Sequence, residues 1–507
     1  MDTKALRQKI LDLAIRGKLV PQDPNDEPAE VLLERIREQK QQMLKEGKLK
    51  KKDIKNDTII FKGEDNLHYE KFQDGTVKCI EDEIPFEVPD GWKWCRLPAI
   101  TIDIFAGGDK PDSYEKNPTD ICNIPIYSNG IENNGLYGFT NKPRVIEPSI
   151  TISARGTIGF CCIRETPFVP IVRLITITPS KEFELYYLKT VFEALIETGE
   201  GSSIPQLTVP RIKPKLIPVP PVNEQIRIQN KLHEILNSIA VISREKEELQ
   251  QLLQTIKSKI LDLAIRGKLV LQNPDDEPAS VLLERIRIEK EELIKQGKIK
   301  RDKKESVIFR GDDNSYYRQT GNLIEPISDL ELDDIPDSWA LCCLGELCDY
   351  GNCNNVEADS ITNNAWILDL EDIEKDTGRV IKKIRKTERD FTSTKHSFHE
   401  GQVLYSKLRP YLNKVIIADE DGFCTSEILP LDFSKVVLPQ YALYYLMSPT
   451  FLKYANRCSY GVKMPRLGTA DGKKAIFPLP PLEEQYRISD CISKIFMQID
   501  TISASIL

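Results

Sequence analysis

The sequence predicts an α+β chain: two mixed α/β domains separated by long antiparallel coiled-coil helices, built as an internal pseudo-twofold repeat in circularly permuted order. Three observations carry this. The run Lys9-Ile10-Leu11-Asp12-Leu13-Ala14-Ile15-Arg16-Gly17-Lys18-Leu19-Val20 recurs unchanged at Lys259 to Val270, and a long repeat constrains architecture before any local pattern does. Pro218-Val219-Pro220-Pro221-Val222-Asn223-Glu224-Gln225 reappears as Pro478-Leu479-Pro480-Pro481-Leu482-Glu483-Glu484-Gln485. A helical unit continuous in mid-chain is thus split between the two termini in its second copy. Third, the apolar positions after Pro221 fall in alternating steps of three and four, the heptad seam of a two-stranded coiled coil. Joined end to end, the chain would close into a ring of two units, with both termini beside the pseudo-twofold axis.

In chain order, residues 1–55 hold the distal part of one spacer helix and a short amphipathic helix over about 28–46, separated by the turn-rich connector Gly17 to Pro28. Gly47 suits its C-terminal cap, and a Lys-rich tail, Lys48 to Lys55, follows. These helices do not extend the seam; docking on a partner and closing the rod's end are both open. Residues 89–217 and 336–477 open alike, on Pro89-Asp90-Gly91-Trp92 and Pro336-Asp337-Ser338-Trp339, and are rich in short β-branched and aromatic runs. Short helices are expected at Leu185–Ile196 and Gln440–Leu446. Residues 221–300 form the central spacer helix and its short helix (278–296, capped by Gly297), with a Lys-rich tail, Lys298 to Lys304, following that helix; residues 481–507 form the C-terminal helix. The seam comprises Leu232, Ile235, Ile239, Ile242, Leu249, Leu253, Ile256, Ile260 and Leu263, continued in the second copy by Ile488, Ile492, Ile495, Ile499, Ile502 and Ile506, then Leu6, Ile10 and Leu13. About 45 residues at roughly 1.5 Å each give a rod near 68 Å long. A bare seam must be covered, and the matching seam is its own repeat, paired antiparallel.

Composition narrows the function. The chain has 507 residues, enough for several domains. Its N-terminus has no apolar signal core and no run of 18 apolar residues exists, so a cytoplasmic protein is expected. Twelve Cys without disulfide spacing read as small buried hydrophobes. With four His and no CxxC, the one metal candidate is His396-x-x-His399, which reads as an ordinary surface pair. No GxxxxGK[ST] loop, Asn-Pro-Pro-aromatic run or GxGxxG is present, so a non-catalytic recognition subunit is expected. Net charge is −8, yet Arg379 to Lys414 carries ten Lys/Arg against Glu388, Asp390 and Glu400. That density fits either phosphate contact or a solvated loop.

The block Gly-Lys-Leu-Val-Pro-Gln-Asp-Pro-Asn-Asp-Glu-Pro-Ala (17–29), the repeated Pro-Pro-x-x-Glu-Gln helix start and two unlike domains on a shared helical frame resemble type I restriction–modification specificity subunits. The resemblance covers essentially the whole chain, and its most specific part is the repeat with circular order. It implies two target-recognition domains, each reading one half of an asymmetric, interrupted site in double-stranded DNA. It also implies a helical spacer holding two methyltransferase subunits, with room for two restriction subunits, and no membrane. S-adenosylmethionine and ATP/Mg2+ would then sit in the partners, and none in this chain. The alternatives are a fused nuclease or methyltransferase, which lacks its signature here, and a coiled-coil scaffold or silent recombination donor without DNA affinity.

Candidate contacts follow from local pattern. Ser153-Ala154-Arg155-Gly156-Thr157 follows a strand, and Gly156 would let a backbone approach closely; Arg155 is either a DNA contact or a surface hairpin arginine. At the matching place in the second domain, Ser406-Lys407-Leu408-Arg409-Pro410-Tyr411-Leu412-Asn413-Lys414 resembles a recurring recognition-domain motif. On a strand, Lys407 and Arg409 would share a face with Leu408 turned inward. Near the domain exits, Ser202-Ser203-Ile204-Pro205-Gln206-Leu207 offers Gln206 to adenine, and Lys463-Met464-Pro465-Arg466-Leu467 offers Lys463 and Arg466 to guanine or phosphate. A bland loop beside the rod would need the same prolines.

Overall fold

Helix α1 (Thr3–Ile15) begins at Asp2, whose carboxylate accepts the amides of Lys4 and Ala5 at 2.9 and 3.0 Å. Gly17 ends it in the left-handed region (φ +66°), and a Cβ there would meet Pro89 at 2.4 Å, so glycine alone fits. The structure, a computed structural model, describes residues 2–196, 199–200 (backbone), 206–297, 306–313, 315–327, 334–433 and 437–506. It divides into two units, Met1–Glu245 and Lys246–Leu507.

In the first unit, helix α2 (Ala29–Lys45) lies against its own domain through Ala29, Leu32 and Ile36. Lys40 is buried and reaches Asp57 and the Pro98 carbonyl, each at 2.6 Å. The short amphipathic helix therefore closes onto this unit's core. A three-stranded antiparallel sheet (59–79) follows, which the pattern of apolar residues did not announce. The domain proper is a four-stranded antiparallel sheet, ordered Cys161–Arg164, Ser149–Ile152, Ile175–Pro179, Thr101–Ala106, covered by helix α3 (Leu185–Leu195). One core joins Leu11, Ala14 and Ile15 of α1, Tyr187, Leu188, Val191 and Phe192 of α3, and Ile228 and Leu232 of helix α4 (Val222–Ile265). α4 is one continuous helix; its residues up to Glu245 belong to this unit.

The second unit repeats the plan. Helix α5 (Ala279–Lys295) takes the place of α2 and a sheet over 306–326 that of 59–79. Helix α6 (Pro439–Met447) packs on helix α7 (Leu482–Ile506), with the Tyr444 ring edge-on to Phe496 at 6.0 Å and its hydroxyl 2.9 Å from Ser493. Leu253, Ile260, Leu261, Ala264 and Ile265 of α4 share a core with Ile488, Ile492 and Ile499 of α7, and Lys257 is ion-paired with Asp500. Seam residues of both copies thus share a core within each unit, and the domain helix joins the same core.

Four seam residues depart from expectation. Ile242, Leu249, Ile256 and Ile502 are exposed, while Leu232, Ile239, Leu253, Ile260, Ile492 and Ile499 are buried and Ile235 and Ile495 half-buried. A straight helix advances 3.6 residues per turn, so a strict heptad drifts; one step of three past Ile239 or Ile499 lands on the flank of the buried face. The first Lys-rich tail forms turns, with the Lys50 amide on Asp53; Lys298 to Lys304 lie outside the described residues.

The repeated Pro-Pro-x-x-Glu-Gln start works as a clamp in each unit. Glu224 is buried in the first turn of α4 and accepts the Trp92 indole N–H (2.9 Å) and the Gln22 amide (3.0 Å). Glu484 does the same with Trp339 (2.9 Å) and Gln272 (2.6 Å). Gln22 follows α1 and meets the start of α4, while Gln272 follows α4 and meets the start of α7, so each pair runs antiparallel. Gln225 accepts the Glu184 amide just ahead of α3 and donates to the Pro220 carbonyl; Gln485 serves Leu438 and Pro480 identically. Arg227 forks onto Asp26 and Arg487 onto Asp276, and the Arg227 hydrogen bond holds Asp26 below the usual carboxylate range.

Burial pushes the carboxyls of Glu224 and Glu484 above their ordinary value, opposed only in part by the Gln and Trp donors. A carboxyl with a raised folded pKa binds more protons folded than unfolded, so its contribution falls as pH rises through the folded value and is fully present below the unfolded one. We expect the wild-type chain to gain stability relative to E224Q/E484Q as pH falls from 7 toward about 4.5. Paired thermal melts across that window check this; parallel curves would refute it.

All twelve cysteines are free. Seven are buried, and burial pushes the Cys343 thiol up to about 12. The surface reading of the histidine pair needs correction: His396 is buried, with Nδ1 3.0 Å from the Ile428 carbonyl, while His399 is exposed near Asp432. Among the described residues no cluster of His, Cys, Asp or Glu could hold a metal, and no helix is long and apolar enough to cross a membrane.

Candidate nucleic-acid interface

Antiparallel pairing in the first unit sets Ile175 opposite both Ala106 and Ile152. The segments after Ala106 and Ile152 and before Ile175 therefore emerge at one end of the sheet. Val172 (φ +53°) and Arg173 (φ +64°) both adopt the left-handed region, which a β-branched residue rarely does. Their amides are held by the carbonyls of Gly108 and Gly107 (2.8 and 3.1 Å). Asn129 staples this turn to the next loop, its Nδ2 donating to Val172 O and its Oδ1 accepting the Ala154 amide, both at 2.7 Å. Leu207 donates to the Ala154 carbonyl at 3.2 Å, which sets Gln206 beside the same loop. Arg155 and Arg173 are exposed and Gln206 half-buried.

One expectation for this end is revised. Ser153 is 1% exposed and its Oγ accepts the Gly130 amide at 3.4 Å, so it braces the loop from inside. Gly156 stands at φ +70° with open space above it, so it supplies the turn geometry and leaves room above the loop. Arg173 was missed because nothing in the sequence marks a Val-Arg pair as a left-handed turn. Ser202 to Pro205 lie outside the described residues.

In the second unit, the strand Val403–Ser406 leads into the corresponding loop and pairs with Val415–Ile417 and Ile428–Leu431. Alternation fails beyond it. Arg409 turns left-handed (φ +48°), its amide donating to Pro465 O at 2.7 Å, and the Leu467 amide donates to Lys407 O at 3.0 Å. The loop and the exit segment are thereby joined, as in the first unit. Lys407 and Arg409 are half-buried, and Tyr411 and Lys463 exposed.

Three residues of this set have other duties. Asn413 is buried, left-handed (φ +47°), and donates to the Met447 carbonyl at 3.3 Å. Lys414 Nζ donates to Leu370 O at 2.6 Å, and burial lowers its pKa. Arg466 is forked onto Glu427 at 2.8 and 3.1 Å. The basic run also loses its excess charge on folding. Arg389 meets Asp369, Glu371 and Asp372, Lys395 meets Asp369, Arg379 meets Asp500, and Lys383 and Arg385 meet Glu420. Counting charge along the chain overlooked acids brought in from elsewhere. What remains is Lys407, Arg409, Tyr411 and Lys463 here, and Arg155, Arg173 and Gln206 in the first unit. Guanidinium, ammonium, amide and phenol donors of this kind suit phosphates and base edges.

The type I restriction modification DNA specificity domain family matches residues 91–251 and 336–506, so both domains are covered, each with the helix that follows it. The chain belongs to that family. As a specificity subunit it supplies DNA sequence specificity within a type I restriction–modification complex. It is 28% identical to the type I restriction enzyme EcoAI specificity subunit of Escherichia coli, over 98% of this chain and 89% of that one. To the EcoEI specificity subunit of the same species it is 29% identical, over 68% and 61%. A solved chain from a type I restriction–modification system aligns at 16% identity and TM-score 0.49, covering 83% of this chain and 94% of that one.

Proposed function

We propose that each unit's domain reads one half of an asymmetric, interrupted DNA site through the loop end described above, and that the chain performs no chemistry itself. One observation carries the reading. Both units join a strand-end loop to the domain's exit segment and present cationic side chains there, yet the residues differ between the units. Like geometry with unlike residues suits two readers of unlike sequences. Adenine methylation falls to two methyltransferase subunits holding S-adenosylmethionine, and cleavage, where a restriction subunit joins, to an ATP- and Mg2+-dependent partner. The reading places the complex in the cytoplasm, where the DNA is. A scaffold without DNA affinity would not need the two segments that carry Arg155 and Arg173 stapled together by Asn129.

Methylome sequencing of the source cell, with and without this gene, tests the proposal. The expected result is an interrupted, non-palindromic adenine-methylated motif that vanishes on deletion. A methylome unchanged by deletion would refute it.

A further inference from the structure

We propose that the hairpin over 459–467 in the second unit is an apolar wedge that enters a base step of the bound duplex and unstacks it. The inference rests on the reading of this end as the DNA-facing surface. Two short strands, Ser459–Tyr460 and Arg466–Leu467, pair antiparallel, and Gly461 (φ +99°) begins the tight tip between them. At that tip Val462 is 102% exposed, Tyr460 62% and Met464 50%. A valine so placed gains nothing from folding, since apolar groups stabilise only when removed from water. Tyr411, also exposed, stands on the adjoining loop.

The tip is firmly carried. Leu408 forms a β-bridge with Arg466, Arg409 N–H reaches the Pro465 carbonyl at 2.7 Å, and Arg466 is forked onto Glu427. Charge selects the occupant. Lys463 sits between Val462 and Met464, and Lys407 and Arg409 lie on the loop tied to it, while the nearby Glu427 carboxylate is engaged by Arg466. Apolar side chains rimmed by cations suit a duplex, whose phosphates meet the cations while opened bases take the apolar groups.

The test uses the chain assembled with its methyltransferase subunits, and cognate duplexes carrying 2-aminopurine at successive positions of the half-site read by the second unit. Wild type is expected to raise fluorescence several-fold at one step apart from the methylated adenine. The double variant Val462→Ser, Met464→Ser should abolish that signal and weaken specific binding about tenfold with the salt slope unchanged. Arg409→Ala should instead lower the slope by roughly one. An unstacking signal that survives in the double variant overturns the wedge. So does loss of methyltransferase capture with unstacking intact, which would assign the tip to a protein partner. If wild type fails to discriminate cognate from random duplex, the DNA reading itself falls; with discrimination kept and no step unstacked, the wedge alone falls.

Discussion

Trp339→Ala is expected to destabilise the second unit by about 3–5 kcal/mol, the range for truncating a buried large aromatic. The side chain is 6% exposed, stands edge-on to Tyr441 at 6.4 Å, and donates to the buried Glu484. Truncation opens a cavity between domain and helix and leaves Glu484 with Gln272 as its remaining donor. The charged form of Glu484 is already disfavoured by burial, so losing one of its two donors adds to the cavity cost. Trp339→Phe keeps the ring and loses only the donor, and should cost less, about 1–3 kcal/mol. In calorimetry on the whole chain the alanine variant should melt about 10 °C lower, and Trp92→Ala should repeat the effect in the first unit. A shift under 2 °C would show that the clamp does not bear on stability.

Exchanging residues 89–217 for the same segment of another specificity subunit is expected to replace one half of the methylated motif and leave the other unchanged. The exchanged segment carries its own Trp92, its loop end and Tyr187, whose hydroxyl bonds the Pro218 carbonyl at 3.0 Å. Its partners in the clamp, Glu224 and Gln225, remain behind, as do Gln22, Asp26 and Arg227 that brace them. Specificity should follow the segment and assembly should follow the helices. The methylome of cells expressing the chimaera decides it: change in both half-sites would overturn the division of labour between the domains.

Much of the fold was legible because it repeats. The Lys9–Val20 identity located the helices, and the expected short helices at 185–196 and 440–446 appear as Leu185–Leu195 and Pro439–Met447. The small sheets at 59–79 and 306–326 were not legible, since strands such as His68–Lys71 are short and polar. The site was half legible. Arg155 and Lys463 lie in loops beside strand ends, whereas Arg409, expected on a strand, turns left-handed beyond the strand's end. Ser153 and Asn413 looked equally polar, and only the fold reveals that both are buried supports. Arg466 and the run from Arg379 to Lys395 are cationic in sequence, but acids far along the chain neutralise most of them.

The twin tryptophan–glutamate sockets have an evolutionary corollary. A reader need only bring a matching plug, an indole at its entrance and a tyrosine on its helix, to be accepted by the same chassis. Recombination inside flanking near-identical stretches can then reshuffle target preference in a single event, while the machinery that assembles on the shared frame never has to adapt.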